Sequence, residues 1–171
     1  MPPEGLRIVL VGRGRMGGTL AAAWRAAGTA FVHLAGRKAA EGRSPGGARG
    51  EGPTLWVLAV TDAAVASLCS ALVAAKRIGR GDGVVHLAGM LGPDALETAR
   101  AAGARVGAMH PLVAVADPRR PPSLRGSAAS YEGDARLATW LRRLLAPTGM
   151  AVHRLRDVDR VRYHAAAALC A

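Results

Sequence analysis

The chain has 171 residues, of which half are hydrophobic and only 4% are aromatic, and its formal net charge at pH 7 is +11. This length suits one domain, or one domain and the beginning of another, and no apolar run reaches the ~18 residues that a membrane span requires. The positive charge attracts phosphates in general, but the arginines are scattered and no aromatic residues are interleaved among them, so we expect no specific nucleic-acid partner.

Short apolar runs typical of buried strands alternate with segments rich in Ala and Leu that are typical of helices. We predict strands at residues 6–11, 30–35, 54–60, 84–87 and 104–109, and helices at 16–27, 62–77 and 93–103. This alternation predicts an α/β fold of the Rossmann type, with a doubly wound, mostly parallel sheet and helices on both faces.

The remainder of the chain is less regular. After an irregular segment at 111–125, we predict strands at 127–131 and 150–155 on either side of an amphipathic helix at 134–145, and a last helix from Asp157. We interpret residues 1–155 as a nucleotide-binding domain. Residues 156–171 are interpreted as the beginning of a C-terminal helical domain, because the last helical pattern runs to Ala171 without a stop signal.

The first predicted strand leads into a glycine-rich loop and a helix, which is the context that a dinucleotide-binding G-x-G-x-x-G motif requires. The first glycine permits the tight turn, the second lets the backbone approach a pyrophosphate, and the third lets the helix lie close to the strand. The alternative is an ordinary turn in a chain rich in Gly and Ala. We assign the phosphates of the cofactor to Gly12, Arg13, Gly14, Arg15, Met16 and Gly17.

The residues after the second predicted strand indicate which dinucleotide binds. Sites for NAD place a carboxylate there to accept hydrogen bonds from the ribose. This strand is followed instead by Gly36, Arg37 and Lys38, and the first carboxylate is Glu41, further along the loop. Arg37 and Lys38 suit a 2′-phosphate, which favours NADP(H). The alternative is that both side chains belong to a solvated loop.

Ligands of such sheets lie beyond the carboxyl ends of the strands. The third strand ends at Val60 and Thr61, which we assign to cofactor binding, and we expect Thr61 and Asp62 to border the nicotinamide side. Asp62 follows directly, and its simplest role is to cap the next helix.

Two histidines also fall near strand ends. His110 directly follows the fifth predicted strand, and His86 lies near the end of the fourth; both are candidate catalytic residues, because histidine transfers protons near neutral pH. A structural role remains the alternative for each. His33 and His153 lie inside strand-like runs, and we interpret them as structural residues.

Five motifs in this order resemble a bacterial family of Rossmann-like oxidoreductases with a C-terminal helical domain of unknown function. They are Gly12-x-Gly14-x-x-Gly17, Ala59-Val60-Thr61-Asp62, His86-Leu87-Ala88-Gly89, Met109-His110-Pro111-Leu112 and Tyr163-His164-Ala165-Ala166-Ala167. The family is similar to the wider 6-phosphogluconate dehydrogenase-like group, which includes pyrroline-carboxylate, ketopantoate and prephenate reductases or dehydrogenases. In prephenate dehydrogenases a His-Pro pair after the equivalent strand lies at the substrate, which favours His110 as the catalytic residue.

The resemblance implies an NADP(H)-dependent oxidoreductase, or its nucleotide-binding half, that acts on a small carbonyl or imine compound. It also implies a homo-oligomer formed through the C-terminal helix, because the helical domain of the family closes the substrate cleft and pairs subunits. A chain that ends at Ala171 is then a fragment, a degenerate copy or one that a partner completes, and we expect it to bind cofactor but to turn over poorly. The rival hypothesis is a non-catalytic NADP-binding sensor or assembly module, and a basic nucleic-acid-binding protein is a weaker one.

The two cysteines and the N-terminus bear on the compartment. Cys69 and Cys170 have neither metal-ligand nor disulfide-framework spacing, and we interpret both as small buried residues of helices. Residues 1–10 lack the pattern of a secretory signal. We therefore expect a cytoplasmic protein that has no metal site.

Overall fold

A seven-stranded β-sheet forms the centre of the computed structural model, which describes residues 3–36, 39, 52–155, 159, 162–163 and 165–166. Its strands are β1 (Arg7–Val11), β2 (Val32–Leu34), β3 (Thr54–Leu58), β4 (Gly83–His86), β5 (Arg105–Leu112), β6 (Ala128–Gly133) and β7 (Ala151–Arg154). They lie in the order β2-β1-β3-β4-β5-β6-β7. Strands β1 to β5 are mutually parallel, β6 runs antiparallel to β5, and β7 is parallel to β6.

Helices cover both faces of this sheet. They are α1 (Arg15–Ala26), α2 (Asp62–Ala74), α3 (Glu97–Ala101) and α4 (Ala135–Leu145), with short 3-10 helices at Pro93–Leu96 and Ala146–Thr148. On one face, α1 and α4 contribute Trp24 and Leu141 to a core that includes Leu10 of β1. On the other face, α2 and the segment around α3 contribute Leu72 and Ala99 to a second core. The predicted Rossmann-like α/β fold is confirmed.

Strands β3 and β4 lie in the interior of the sheet. Every residue of β3 and β4 is buried, as expected for strands with helices on both sides.

Cys69 is fully buried in α2, and burial raises the pKa of its thiol, so the thiol is an apolar packing group at neutral pH. Cys170 lies outside the described residues. Within the described part of the chain, no helix is long and apolar enough to cross a lipid bilayer.

Strand β5 is longer than the sequence predicts. It runs to Leu112, so the predicted end at Met109 was wrong, and its last residues pair with β6. Strand β4 pairs with β5 only as far as Ala108. Beyond that point β5 has one open side, and a proline without an N–H group, Pro111, is tolerated there.

Two predicted helices also differ from the structure. The predicted helix at 62–77 ends at Ala74, and the one predicted at 93–103 is a 3-10 turn followed by the five residues of α3. The 3-10 turn begins at Pro93, which fixes one backbone dihedral and supplies no hydrogen-bond donor. Most of the last predicted helix, from Asp157, lies outside the described residues.

A buried carboxylate joins the loops at the amino ends of three parallel strands. Asp82 is 1% exposed, and its two oxygens accept hydrogen bonds of 2.9 Å each from the backbone N–H groups of Thr54 and Gly79. Its own carbonyl accepts a 2.8 Å bond from the N–H of Arg105. Asp82 therefore ties the start of β3 and β5 to the turn before β4.

We expect Asp82→Ala to lower the free energy of unfolding by about 2–4 kcal/mol, because the buried N–H group of Thr54 and the partly buried N–H group of Gly79 lose their acceptor. Urea denaturation followed by circular dichroism measures the loss. Glu97→Ala is the control, since its ion pair with Arg100 is exposed and contributes less than about 1 kcal/mol. Equal stabilities of the two variants would contradict the role given to Asp82.

Candidate nucleotide-binding site

The strand order creates a crevice at the carboxyl ends of β1 and β3. From β1 the chain passes to β2 on one side of the sheet and then returns to β3 on the other. Such a reversal leaves a gap between the two connections, where ligands of open α/β sheets bind. A cleft of about 580 Å³ opens there, within the range of small-molecule sites. We call it the switch-point cleft; its lining residues are Gly12, Arg13, Gly14, Gly36, Ala59, Val60, Thr61, Ala64, Ser67, Leu68 and Ala71.

The three glycines of the loop differ in what surrounds them. Gly12 has a φ of +113°, and a Cβ atom added to it would lie 2.0 Å from the carbonyl oxygen of Ala59. A Cβ atom on Gly17 would lie 2.2 Å from the carbonyl oxygen of Gly12. A Cβ atom on Gly14 would meet nothing within 4 Å. The protein itself requires the first and third glycines, whereas the second leaves open space in the cleft.

Two helices begin at this cleft. Helix α1 starts at Arg15 with Gly14 as its N-cap, and it has neither a side-chain cap nor an acidic residue in its first turn. Helix α2 starts at Asp62 with Thr61 as its N-cap, again without a side-chain cap. The N–H groups of a first helical turn carry partial positive charge and bind anions. Exposed Arg13 and Arg15 add charge beside the first of these helices.

The position of Asp62 corrects one expectation. Asp62 is the first residue of α2 and not its cap, because Thr61 holds the N-cap position with extended backbone dihedrals. An acidic side chain in the first turn still stabilises the helix through the helix dipole. Because Asp62 comes one residue after the N-cap, the cap position belongs to Thr61, and Thr61 lines the cleft.

The structure brings most of the predicted cofactor residues together. Gly12, Arg13, Gly14, Val60 and Thr61 all line the switch-point cleft. The three other residues assigned to the loop form the first turn of α1; of these Arg15 is exposed, Met16 packs partly against the core, and Gly17 is buried.

The residues predicted to select NADP(H) lie at the border of the described chain. Arg37 and Lys38 are outside the described residues. Gly36, which precedes them directly, lines the cleft, and a Cβ atom there would lie 3.3 Å from Val60. Gly36 is therefore the last residue of this described segment, and it lies at the cleft wall.

The two candidate catalytic histidines have different surroundings. His86 is fully buried, its Nδ1 accepts a 3.2 Å hydrogen bond from the N–H of Ala88, and its Nε2 donates a 2.9 Å bond to the carbonyl of Gly92. Because a carbonyl oxygen only accepts, the Nε2–H tautomer satisfies both contacts. The ring thus links both ends of the loop that follows β4.

His110 is partly buried near the end of β5 and pairs in register with Ser130 of β6. The ring of Tyr163 stands edge-on to its imidazole, with centroids 6.3 Å apart and planes at 78°. Both side chains line a cavity of about 20 Å³ with Gly89, Ser130 and other residues at the ends of β4 and β5. The cavity is large enough for a water molecule.

One contact of the loop was not predicted from the sequence. His33, interpreted as a structural strand residue, places its Nε2 2.7 Å from the carbonyl oxygen of Gly12. The sequence feature that could have indicated this contact is the position of His33 near the end of the second strand. It alternates with Val32 and Leu34, which face the core on the side of α2. That alternation puts His33 on the side of α1 and the loop.

No protein-family model matches the sequence, and no curated protein matches it either. Solved structures do match. Prephenate dehydrogenase from Aquifex aeolicus in complex with hydroxyphenyl propionate and NAD+ has a TM-score of 0.68 at 13% identity, over 99% of this chain and 70% of that chain. A Streptomyces aurantiacus imine reductase has a TM-score of 0.65 at 18% identity, over 96% of this chain and 61% of the other.

A third structure is similar to the same extent. Reductive aminase from Aspergillus terreus, in complex with NADPH and ethyl-5-oxohexanoate, has a TM-score of 0.64 at 18% identity, over 96% of this chain and 60% of that one. The chain therefore spans about six-tenths of the length of the two reductases. At these identities the likeness establishes the Rossmann-like fold.

The glycine geometry generates a prediction for the loop. Gly14→Val is expected to fold normally, because its Cβ atom meets no protein atom within 4 Å, and to abolish dinucleotide binding, because the side chain occupies the space left for the pyrophosphate. Circular dichroism and calorimetric titration with NADPH measure the two properties.

Two other glycines of the same segment are the controls. Gly18→Val, on α1, also enters open space but lies outside the cleft lining, and it should bind NADPH like the wild type. Gly17→Ala should lose about 2 kcal/mol of stability or more, because its Cβ atom overlaps the Gly12 carbonyl. Undiminished NADPH binding by a folded Gly14→Val variant would show that the loop is not the phosphate site.

Proposed function

We propose that the chain is an NADP(H)-dependent oxidoreductase, or the nucleotide-binding half of one, that acts on a small carbonyl or imine compound. The observation that carries this proposal is the switch-point cleft, where a glycine that leaves open space, Gly14, lies at the N-terminus of α1. Structures with the same fold were determined with NADPH or NAD+ bound, and the imine reductase and reductive aminase among them favour the carbonyl or imine class.

The cleft residues suit the parts of a dinucleotide. The loop at 12–17 would hold the pyrophosphate through backbone N–H groups and the charge of Arg13 and Arg15. Ala64, Leu68 and Ala71 give α2 a wall of small and apolar side chains beside the cleft, against which a flat base packs. Val60 and Thr61, at the end of β3, would border the nicotinamide side.

Selectivity for NADP(H) is assigned to Arg37 and Lys38. The described end of β2 offers no carboxylate to the ribose, since Leu34, Ala35 and Gly36 follow one another there. A guanidinium forms paired hydrogen bonds with a phosphate and an ammonium adds charge, whereas an NAD site needs an acceptor. The position of Gly36 in the cleft wall supports this assignment.

The proton of the reaction is assigned to His110. A bound nicotinamide supplies or removes the hydride, and a nearby group must then give or take a proton at the oxygen or nitrogen of the substrate. His110 lies at the end of β5, on the edge of the sheet where β4 also ends. His86 is a weaker candidate, because both of its ring nitrogens contact the backbone.

The small size of the cavity beside His110 favours one alternative. About 20 Å³ accommodates a water molecule but no organic substrate. The alternative is a non-catalytic NADP-binding sensor or assembly module. Oxidation of NADPH with a panel of ketones and cyclic imines distinguishes the two, because the sensor binds the cofactor without turnover.

Wild-type protein is expected to bind NADPH at least tenfold more tightly than NADH in calorimetric titration. Arg37→Asp should remove this preference, because it replaces a charge-assisted contact worth about 1.5–3 kcal/mol with repulsion of the 2′-phosphate. Arg120→Asp changes the net charge equally at an exposed position outside the cleft lining and is the control. Equal affinities of the wild type for both cofactors would refute the assignment to NADP(H).

His110→Gln is expected to reduce turnover by about 10²–10⁴-fold while the Kd for NADPH stays unchanged, because the variant removes a proton donor and leaves the cleft intact. His86→Gln should act on stability instead, since a side chain of different shape breaks the contacts with Ala88 and Gly92. Steady-state kinetics and thermal unfolding of both variants test this division. An active His110→Gln enzyme would exclude His110 as the proton donor.

A further inference from the structure

The carbonyl group of Gly12 is held from two sides. The Nε2 atom of His33 lies 2.7 Å from its oxygen, and Gly17 approaches so closely that even a methyl group there would collide with it. Since the carbonyl can only accept, Nε2 donates its hydrogen to it. The N–H of the same glycine donates a 2.9 Å bond to the carbonyl of Leu34. Both polar groups of Gly12 are thus bonded to β2.

These contacts of Gly12 also affect the residue that follows, Arg13. The C=O and N–H of a trans peptide point in opposite directions within one plane. Fixing the carbonyl of Gly12 therefore fixes the direction of the Arg13 N–H. Arg13 lines the cleft, and Gly14 follows it at the start of α1.

The imidazole of His33 is itself held by packing. The Phe31 ring lies 6.2 Å from it between centroids, and Trp24 of α1 stands edge-on to Phe31 at 5.2 Å. The row Trp24, Phe31 and His33 runs along the side of the sheet that α1 covers. A donor on a packed ring keeps its direction better than one on a flexible side chain, because less rotamer freedom remains to be lost.

We propose that His33 is a positioning residue of the phosphate loop: it orients the peptide between Gly12 and Arg13 so that the backbone is arranged for a pyrophosphate before the cofactor arrives. This role rests on the proposed nucleotide-binding function. Pre-organised N–H groups bind an anion without the entropy loss of ordering the loop. The proposal concerns the pyrophosphate alone, and not the base or the 2′-phosphate.

The test compares a probe that carries the pyrophosphate with one that lacks it. Calorimetric titration of the whole chain uses NADPH and adenosine 2′-monophosphate, which lacks both the pyrophosphate and the nicotinamide riboside. His33→Leu removes the donor, His33→Gln retains an N–H at a similar reach, and His153→Leu removes an exposed histidine from β7 as the matched control.

We expect His33→Leu to bind NADPH about three- to tenfold more weakly, the effect of one lost hydrogen bond, with unchanged affinity for adenosine 2′-monophosphate. His33→Gln should recover most of the NADPH affinity, and His153→Leu should match the wild type. Equal weakening for both probes would reduce His33 to a general structural residue and overturn the proposal. So would unchanged NADPH binding by His33→Leu.

Nitrogen-15 NMR of the wild-type imidazole gives a check that needs no variant. The proposal requires a hydrogen on Nε2 of His33, and a neutral ring with its hydrogen on Nδ1 alone would overturn it even if His33→Leu failed to fold. A wild-type chain that binds no dinucleotide would refute the proposed function, and the role of His33 would fall with it. If the wild type binds NADPH and His33→Leu binds it equally tightly, only the role of His33 is refuted.

Discussion

The end of β1 lies so close to the start of the connection after β3 that there is no room for a side chain. A Cβ atom on Gly12 would overlap the carbonyl of Ala59, and the N–H of Ala59 in turn donates a 2.7 Å bond to Val11. This approach keeps β1 and β3 paired to their last residues and turns the chain sharply into α1. The position of α1, and with it the whole switch-point cleft, depends on this contact.

The closeness of α1 to the sheet follows from the same region. Gly17 lets the first turn of the helix lie against the Gly12 carbonyl, and buried Leu20 and Trp24 then continue the contact along the core face. A helix held this near the strand points its N-terminus at the cleft instead of into solvent. The electrostatic attraction that the helix N-terminus exerts on an anion in the cleft is therefore a consequence of steric packing. The positive charges of Arg13 and Arg15 add to it.

The opposite half of the sheet is built differently. Strand β6 reverses direction, and Gly107 lets the Tyr131 ring cross β5, because a Cβ atom there would lie 2.5 Å from that ring. The hydroxyl of Tyr131 donates to the carbonyl of Asp134, and burial raises its pKa, so this phenol stays protonated and structural. His110 and Ser130 lie side by side on the resulting antiparallel pair. The proposed cofactor cleft lies at the ends of β1 and β3, and the histidine assigned to proton transfer lies near the end of β5.

Local patterns in the sequence determined much of this arrangement. Strands with both faces buried produce continuous apolar runs, and the glycines at 12–17 stand at fixed spacings between a strand and a helix, so the fold class and the glycine-rich turn between β1 and α1 were both predictable. Tertiary structure alone decided the rest. His33 and Gly12 are 21 residues apart, and β5 reaches Leu112 only because β6 pairs with it. The direction of a strand side chain and the length of a strand depend on neighbours that are distant in the chain, and no local periodicity records them.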